Sequence, residues 1–492
     1  MNRALAASPI GLFIFVTALA LAAFAARRGL VPDDAMTLWA GAIGASGGDV
    51  PLGRIVASYP TLPFLATTFL EWTTPAGTPT PALMACGLLA LLAGVWFLAF
   101  RAARLPLVAA ATGSLLIALH PAMLAACLAG AAQMFLVVFL YLLGTSLYDL
   151  RARATAPEVM AVSFALLGLA FSHPIGAAVA FAITPGLVFA VRPTLIANSA
   201  LFIAMALVFP TLFALGAFAY VSWVFPGSGW SFLAAPAESL ASWTADSAVV
   251  FRGVTGSLTL DAAVLVTAAL ILGAPLAPVA IGWVRARRPL IAPPLVFATG
   301  IAIAAALTVA TGLFGSPASL AVAAPILSAV VIARTPVMRE HLPSVLALLV
   351  LGWIGGVFGL AVVEPRATLQ VTAALTGAIG ETSSIDALAL GGATRDRDGI
   401  LIDTDNAPAV VVGRGRAHGL ITSSDANFAL TLLFARIDAP YVAVPDPNAA
   451  AGVQDRLNKT FPTLYRDGAP GYRLVYQNTT WRLYARASNS RS

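Results

Sequence analysis

Charge is what this sequence has least of. Asp, Glu, Lys and Arg make up 10% of its 492 residues, against roughly 25% in an ordinary soluble domain. With 59% of the chain hydrophobic, a single water-soluble globule is excluded. Cysteine is nearly absent as well. Cys86 and Cys127 are the only two and both lie in apolar runs, which rules out a disulfide framework or a cysteine-based metal site. They read as small buried side chains. Internal repeats and low-complexity linkers are missing too. The Gly413-Arg414-Gly415-Arg416 turn lacks the strand–loop–helix setting of a phosphate cradle and reads as a solvated turn.

The little charge there is falls unevenly: 25 charged residues lie in 1–363 and another 25 in the much shorter 364–492. The first part belongs in lipid, the second in water. A helix needs roughly 20 apolar residues to cross about 30 Å of hydrocarbon. Eleven such runs are expected, near 8–26, 82–100, 105–120, 122–143, 158–172, 175–191, 195–225, 262–284, 290–312, 319–333 and 343–363. His120-Pro121 and His173-Pro174 separate tight pairs, where a proline either ends one helix or kinks it.

With a cytoplasmic N-terminus, the inner loops hold Arg3, Arg101, Arg104, Arg151, Arg153, Arg192, Arg285, Arg287, Arg288, Arg334 and Arg339 against Asp149, Glu158 and Glu340. The outer loops hold Arg27, Arg28, Arg54 and Arg252 against seven acids. By the positive-inside rule this repeated bias orients the chain. The net charge of +6 is then a cytoplasmic-face signal rather than a mark of nucleic acid, which is excluded as a partner. The expected setting is a bacterial-type inner membrane, with the C-terminal part outside the cytoplasm. Despite Ala23-Phe24-Ala25, the first apolar run reads as an uncleaved helix.

The expected fold class is therefore an α-helical polytopic membrane protein with a small C-terminal α/β extracytoplasmic domain. A transmembrane domain over 1–363 carries outer loops near 27–81 and 225–261, and the outer domain covers 364–492. In that tail, short β-type runs occur at 400–403, 409–412, 441–444, 472–476 and 481–484. Helical spacing is seen at 427–437 and 449–458, with Asp425 and Asp446 placed as caps.

Val31-Pro32-Asp33-Asp34-Ala35-Met36 puts two adjacent carboxylates just outside the first span. One reading is a helix start, where negative charge suits the dipole. The other is a general base or metal-binding carboxylate, one acid raising the pKa of the other. Gly47-Gly48-Asp49 and Tyr59-Pro60-Thr61-Leu62-Pro63 follow. A short first helix, an acid pair, a Gly-Asp and a Tyr-Pro-x-Leu-Pro run resemble the polyprenol-dependent membrane glycosyltransferases of the GT-C superfamily. Protein mannosyltransferase and aminoarabinose transferase relatives belong to that group. The tail resembles the small domain that often closes such chains. The sharp motif is confined to residues 31–64.

The resemblance implies inverting transfer of a sugar from a polyprenyl-phosphate carrier to an extracytoplasmic glycan, lipid or protein acceptor, with Asp33 or Asp34 as base. Arg54 and Arg252 are the candidates for holding the leaving phosphate, a task suited to arginine. Tyr59 stands where many relatives have Lys or Arg before the proline, and Gln133 where many have a second acid. A divalent cation is a possible cofactor. His120 and His173, at expected outer helix ends, are candidates for binding phosphate or pairing with a carboxylate. Trp223, Trp230 and Trp243 suit an interfacial belt or a sugar-stacking surface. Gln133 and Tyr59 also favour a different reading, a non-catalytic glycan-binding or scaffold subunit of a polysaccharide assembly or export complex. A transporter ranks last, because almost no charge lies inside the expected spans.

Overall fold

The computed structural model describes residues 2–27, 30–48, 52–153, 155–225, 229–233, 291–335, 341–363, 383–423 and 425–487. The chain divides into two compact units. The first comprises Met1–Ala23, Ala57–Pro63 and Ala82–Thr372, the second Phe24–Val56, Phe64–Pro81 and Ala373–Ser492.

Helices α1 (Asn2–Arg27), α2 (Asp33–Gly47), α3 (Leu52–Val56) and α4 (Thr61–Thr73) open the chain. The bundle of the first unit continues with α5 (Thr80–Ala102), α6 (Leu107–Ala118), α7 (Pro121–Ala129), α8 (Ala131–Ala152), α9 (Ala156–Ser172), α10 (Pro174–Ile183), α11 (Leu187–Ala190) and α12 (Pro193–Val224). It is completed by α13 (Ala292–Thr311), α14 (Ala323–Arg334) and α15 (Leu342–Val363). Among the described residues seven helical segments are long and apolar enough to cross a membrane, and α6 with α7 makes an eighth if taken as one broken span. The chain is a multi-pass membrane protein. The expected span 262–284 lies outside the described residues.

Two expectations about the spans change. The run 122–143 is not one helix, because Gly130 takes φ 101°, a conformation that only glycine adopts readily, and separates α7 from α8. Instead α6 and α7 bend by 53° at the break. His120 sits at the bend between the two, as the N-cap of α7.

One end of the bundle gathers arginines. Arg334 of α14 pairs with Asp149 of α8 at 2.5 Å. Arg151 donates to the carbonyl of Val191 at 2.6 Å, and Arg192 donates back to the carbonyl of Arg151 at 3.0 Å. Three loops expected on the cytoplasmic side thus meet. Mid-bundle, the Cys86 and Cys127 sulfurs lie 3.8 Å apart, free and buried, as the small packed side chains that apolar runs favour.

In the second unit, α16 (Ser383–Ala393) precedes β1 (Ile400–Leu401), α17 (Pro408–Arg414), β2 (Leu420–Ile421), α18 (Ala426–Phe434) and β3 (Tyr441–Pro445). After them come α19 (Ala450–Gln454), α20 (Arg456–Thr460), α21 (Leu464–Asp467), β4 (Tyr472–Gln477) and β5 (Trp481–Arg486). The sheet order is β2-β1-β3-β5-β4. β1 runs parallel to β2 and β3, and β5 antiparallel to β3 and β4. Alternate residues go to opposite faces. Ile400, Ile402, Ala443, Trp481 and Leu483 pack with residues of α2, α16 and α17. Leu401, Val442, Val444 and Tyr484 pack with Phe428, Leu457 and Leu464. Both faces are covered, which is why the central strands are apolar throughout.

The expected strand at 409–412 is helical instead. Pro408 at the first position sets the helix start and Gly415, at φ 70°, ends it. Between them Val410, Val411 and Val412 are buried against α16 and α2, so packing overrides their β preference. Within the Gly413–Arg416 turn, Arg414 is not solvated, although Arg416 is partly exposed. Arg414 is fully buried, its guanidinium donating to the carbonyls of Thr394, Arg397 and His418 and to Asp398. Ala426–Phe434 bears out the helix expected at 427–437, but Asp425 turns back to accept from the Thr422 N–H at 2.5 Å. The helix expected at 449–458 breaks at Asp455 into α19 and α20. Asp446 accepts from the Asn448 N–H at 2.9 Å, one turn ahead of α19.

Candidate functional site

The acid pair sits on α2 in the second unit. Pro32 precedes the helix, and Asp33 and Asp34 occupy its first turn with no side-chain capping bond from Pro32. The dipole at that end suits their charge. Packing of Met36 and Ile43 into the apolar cluster beneath the sheet anchors α2. Both carboxylates keep an exposed side. Even so, withdrawal of water by the surrounding protein, and then the charge of Asp33, raise Asp34 above its ordinary value. A carboxylate of raised pKa is a stronger base than a free one. The helix ends at Gly48, in the left-handed conformation, and the indole N–H of Trp72 donates to the Ser46 carbonyl at 3.1 Å.

Arg54 lies in α3. Arg252 lies outside the described residues, as do Asp49 and Trp243. Trp223 and Trp230 are both exposed, and Trp230 stacks on Phe232 with centroids 6.0 Å apart.

Three more expected residues belong to the first unit. The Tyr59 hydroxyl donates to the Ala170 carbonyl in the last turn of α9 at 2.7 Å. Its ring meets Phe232 edge-on at 4.9 Å and Phe218 at 5.8 Å. His173 follows α9 directly. Its Nδ1 accepts from the Ile175 N–H at 3.2 Å, capping α10, and the side chain is half-buried. The end of α9 thus brings Tyr59 and His173 to one place. His120 is elsewhere: its Nδ1 accepts from the Ala122 N–H at 3.2 Å, and its Nε2 lies 3.3 Å from the Gly352 carbonyl of α15.

A divalent cation needs several oxygen donors. Among the described residues no group of three or more His, Cys, Asp or Glu side chains converges. Gln133 donates its amide to the Ser319 carbonyl at 2.6 Å and so is committed to the bundle. The described side chains do not fit a protein-held ion.

Two clefts open among the helices of the first unit. One, between α10 and α13, is lined by apolar residues such as Phe181, Val296 and Ile303. The other brings Tyr141, Thr145 and Arg334 together. In the sequence Arg334 stands out only as a loop charge, and Tyr141 and Thr145 lie unmarked within an apolar run. Their spacing of four, which puts them on one face of α8, is the signal that was there to be used. Comparisons with family models, curated proteins and solved structures returned no match.

Proposed function

We propose that this chain is a membrane glycosyltransferase that moves a sugar from a polyprenyl-phosphate carrier to an extracytoplasmic acceptor. Asp34 is the base, and Asp33 the neighbouring charge that raises it. The acid pair on a helix start, open to solvent and with one carboxyl raised, carries this reading. The acceptor hydroxyl gives its proton to Asp34 as its oxygen attacks the anomeric carbon. The bond to the lipid phosphate breaks on the opposite side, so the configuration inverts. Arg54 and Arg252 are assigned to the leaving phosphate. The resemblance in residues 31–64 supports the substrate class.

The same proposal sets the N-terminus in the cytoplasm and the sheet outside it, in a bacterial-type inner membrane. Contacts that join Arg151, Arg192 and Arg334 at one end of the bundle support this orientation. Eleven crossings follow if α6–α7 is one span and α9, the α10–α11 pair and 262–284 each cross. A test is transfer from a radiolabelled polyprenyl-phosphate sugar by membranes carrying Asp33→Asn or Asp34→Asn. Full transfer by both variants would overturn the assignment.

A second reading, a non-catalytic glycan-binding or scaffold subunit, draws on Tyr59 and Gln133, whose hydroxyl and amide hydrogen-bond to backbone carbonyls within the bundle. It expects co-purifying partner subunits and no dependence on a lipid-linked sugar.

A further inference from the structure

The cleft at the arginine-rich end of the bundle has no part in the proposed transfer, and its lining combines an apolar wall with polar groups. Val95, Leu98 and Ala102 of α5 form an apolar wall. Tyr141 and Thr145 of α8 and Arg334 of α14 contribute the polar lining. The volume is about 440 Å³, within the range of small-molecule sites, roughly 300–1,000 Å³. Its three helices are all candidate membrane spans, and Val95 on its apolar wall is exposed.

Tyr141 is the informative residue. Its side chain is only 9% exposed and its ring packs edge-on against Trp96 at 6.0 Å. Thr145 spends its hydroxyl on the carbonyls of Tyr141 and Leu142, 3.0 Å from each. The Tyr141 hydroxyl meets no protein partner among the described residues, although buried tyrosines usually find one. It lines the cleft within electrostatic reach of Arg334. Arg334 uses one terminal nitrogen on Asp149 and keeps about a third of its side chain exposed, so the guanidinium retains donors facing outward. Around it the loops carry Arg101, Arg104, Arg151, Arg153 and Arg192 against Asp149 and Glu158.

We propose that this cleft binds an anionic phospholipid of the surrounding leaflet, its phosphate held by Arg334 and the Tyr141 hydroxyl and the start of an acyl chain lying along α5. Charge complementarity selects the occupant. An excess of arginine at a membrane face attracts acidic headgroups, and the guanidinium fork suits a phosphate. The apolar wall has no counterpart in a soluble anion. This site is independent of the acid pair on α2.

The test uses the full chain purified from membranes and equilibrated with equal amounts of phosphatidylglycerol and phosphatidylcholine. Retained lipids are counted by native mass spectrometry. The wild type is expected to retain phosphatidylglycerol preferentially. Arg334→Gln should cut that preference about fivefold or more, since one basic residue contributes on the order of 1 kcal/mol towards an anionic lipid. Tyr141→Phe, which removes only a hydroxyl, should reduce it by a smaller factor. Asp149→Asn, by removing a competing carboxylate, should increase it. Should Arg334→Gln fail to fold, Arg334→Lys, keeping most of the preference, and Tyr141→Phe carry the test. Equal retention of the two lipids by the wild type, or undiminished preference in folded Arg334→Gln, would overturn the proposal. So would thermal stabilisation by inorganic phosphate alone equal to that by phosphatidylglycerol, which would point to a soluble anion.

Discussion

The hydroxyl of Tyr59 donates to the carbonyl of Ala170 at 2.7 Å, tying the segment ahead of α4 to the last turn of α9. A residue of the Tyr-Pro-x-Leu-Pro run thus has a structural task. Tyr59→Phe keeps the ring among Phe218 and Phe232 and loses one hydrogen bond, a cost of about 1 kcal/mol. Thermal unfolding in detergent should show a small loss, with sugar transfer retained. If transfer collapses while the melting temperature holds, the hydroxyl also serves the substrate.

The two causes of Asp34's raised pKa separate in a pH profile. Transfer should rise with pH as Asp34 loses its proton. Asp33→Asn removes the neighbouring charge, so the acidic limb should move to lower pH with a modest effect on the maximal rate. Asp34→Asn should abolish the limb and cut the rate by about 10²–10⁴, the usual contribution of a general base. Transfer rates measured across the acidic range in both variants check this.

Asp455 makes stability depend on pH. Burial pushes its carboxyl up to about 7. The Asn458 N–H opposes the rise and the charge of Asp403 adds to it. The folded chain keeps a proton that the unfolded chain releases near 3.8. The stabilisation is therefore full below that value and is lost as pH rises through about 7, in total on the order of 4 kcal/mol. Asn at this position still caps α20 by accepting from the Asn458 N–H. Asp455→Asn should therefore flatten this component, visible as a wild-type advantage in melting temperature that shrinks from acidic to neutral pH.

Gly413 distinguishes helix propensity from packing. On propensity alone, Ala in place of Gly within a helix gains about 1 kcal/mol. Here an added Cβ would lie 2.2 Å from the Leu388 carbonyl oxygen, backbone that cannot swing aside. Gly413→Ala should therefore destabilise the second unit by more than that gain, and Gly391→Ala, which meets the Val410 carbonyl at 2.3 Å, should do the same. Limited proteolysis of the C-terminal part in the full chain reports the outcome.

Much of the fold was legible because its signals are sums over adjacent residues. Hydropathy marks spans since the bilayer imposes one length on every crossing. Runs such as 8–26, 82–100, 290–312, 319–333 and 343–363 accordingly match helices within a few residues. The strands at 441–444, 472–476 and 481–484 were legible for the same reason, from apolar and aromatic residues bounded by turn formers. Of the candidate site, the helix start at Asp33 could be read locally, and so could the capping proline motifs at His120 and His173.

What lay beyond the sequence depends on partners far along the chain. Val410–Val412 reads as a strand by composition, but the glycine-lined contact with α16 makes it a helix. Arg414 reads as surface until the carbonyls of Thr394, Arg397 and His418 close around it. His120 reads as the boundary between two spans, and it lies at a 53° bend between α6 and α7, with a further break at Gly130. By itself the sequence determined membrane residence, the positions of most spans and the segregation of charge, because transfer between water and lipid is additive along the chain. The tertiary structure alone decided that α2, with its acid pair, packs under the C-terminal sheet, and that Tyr141 and Arg334 share a cleft. Such contacts are set by the shapes of surfaces distant in sequence, which no local sum contains.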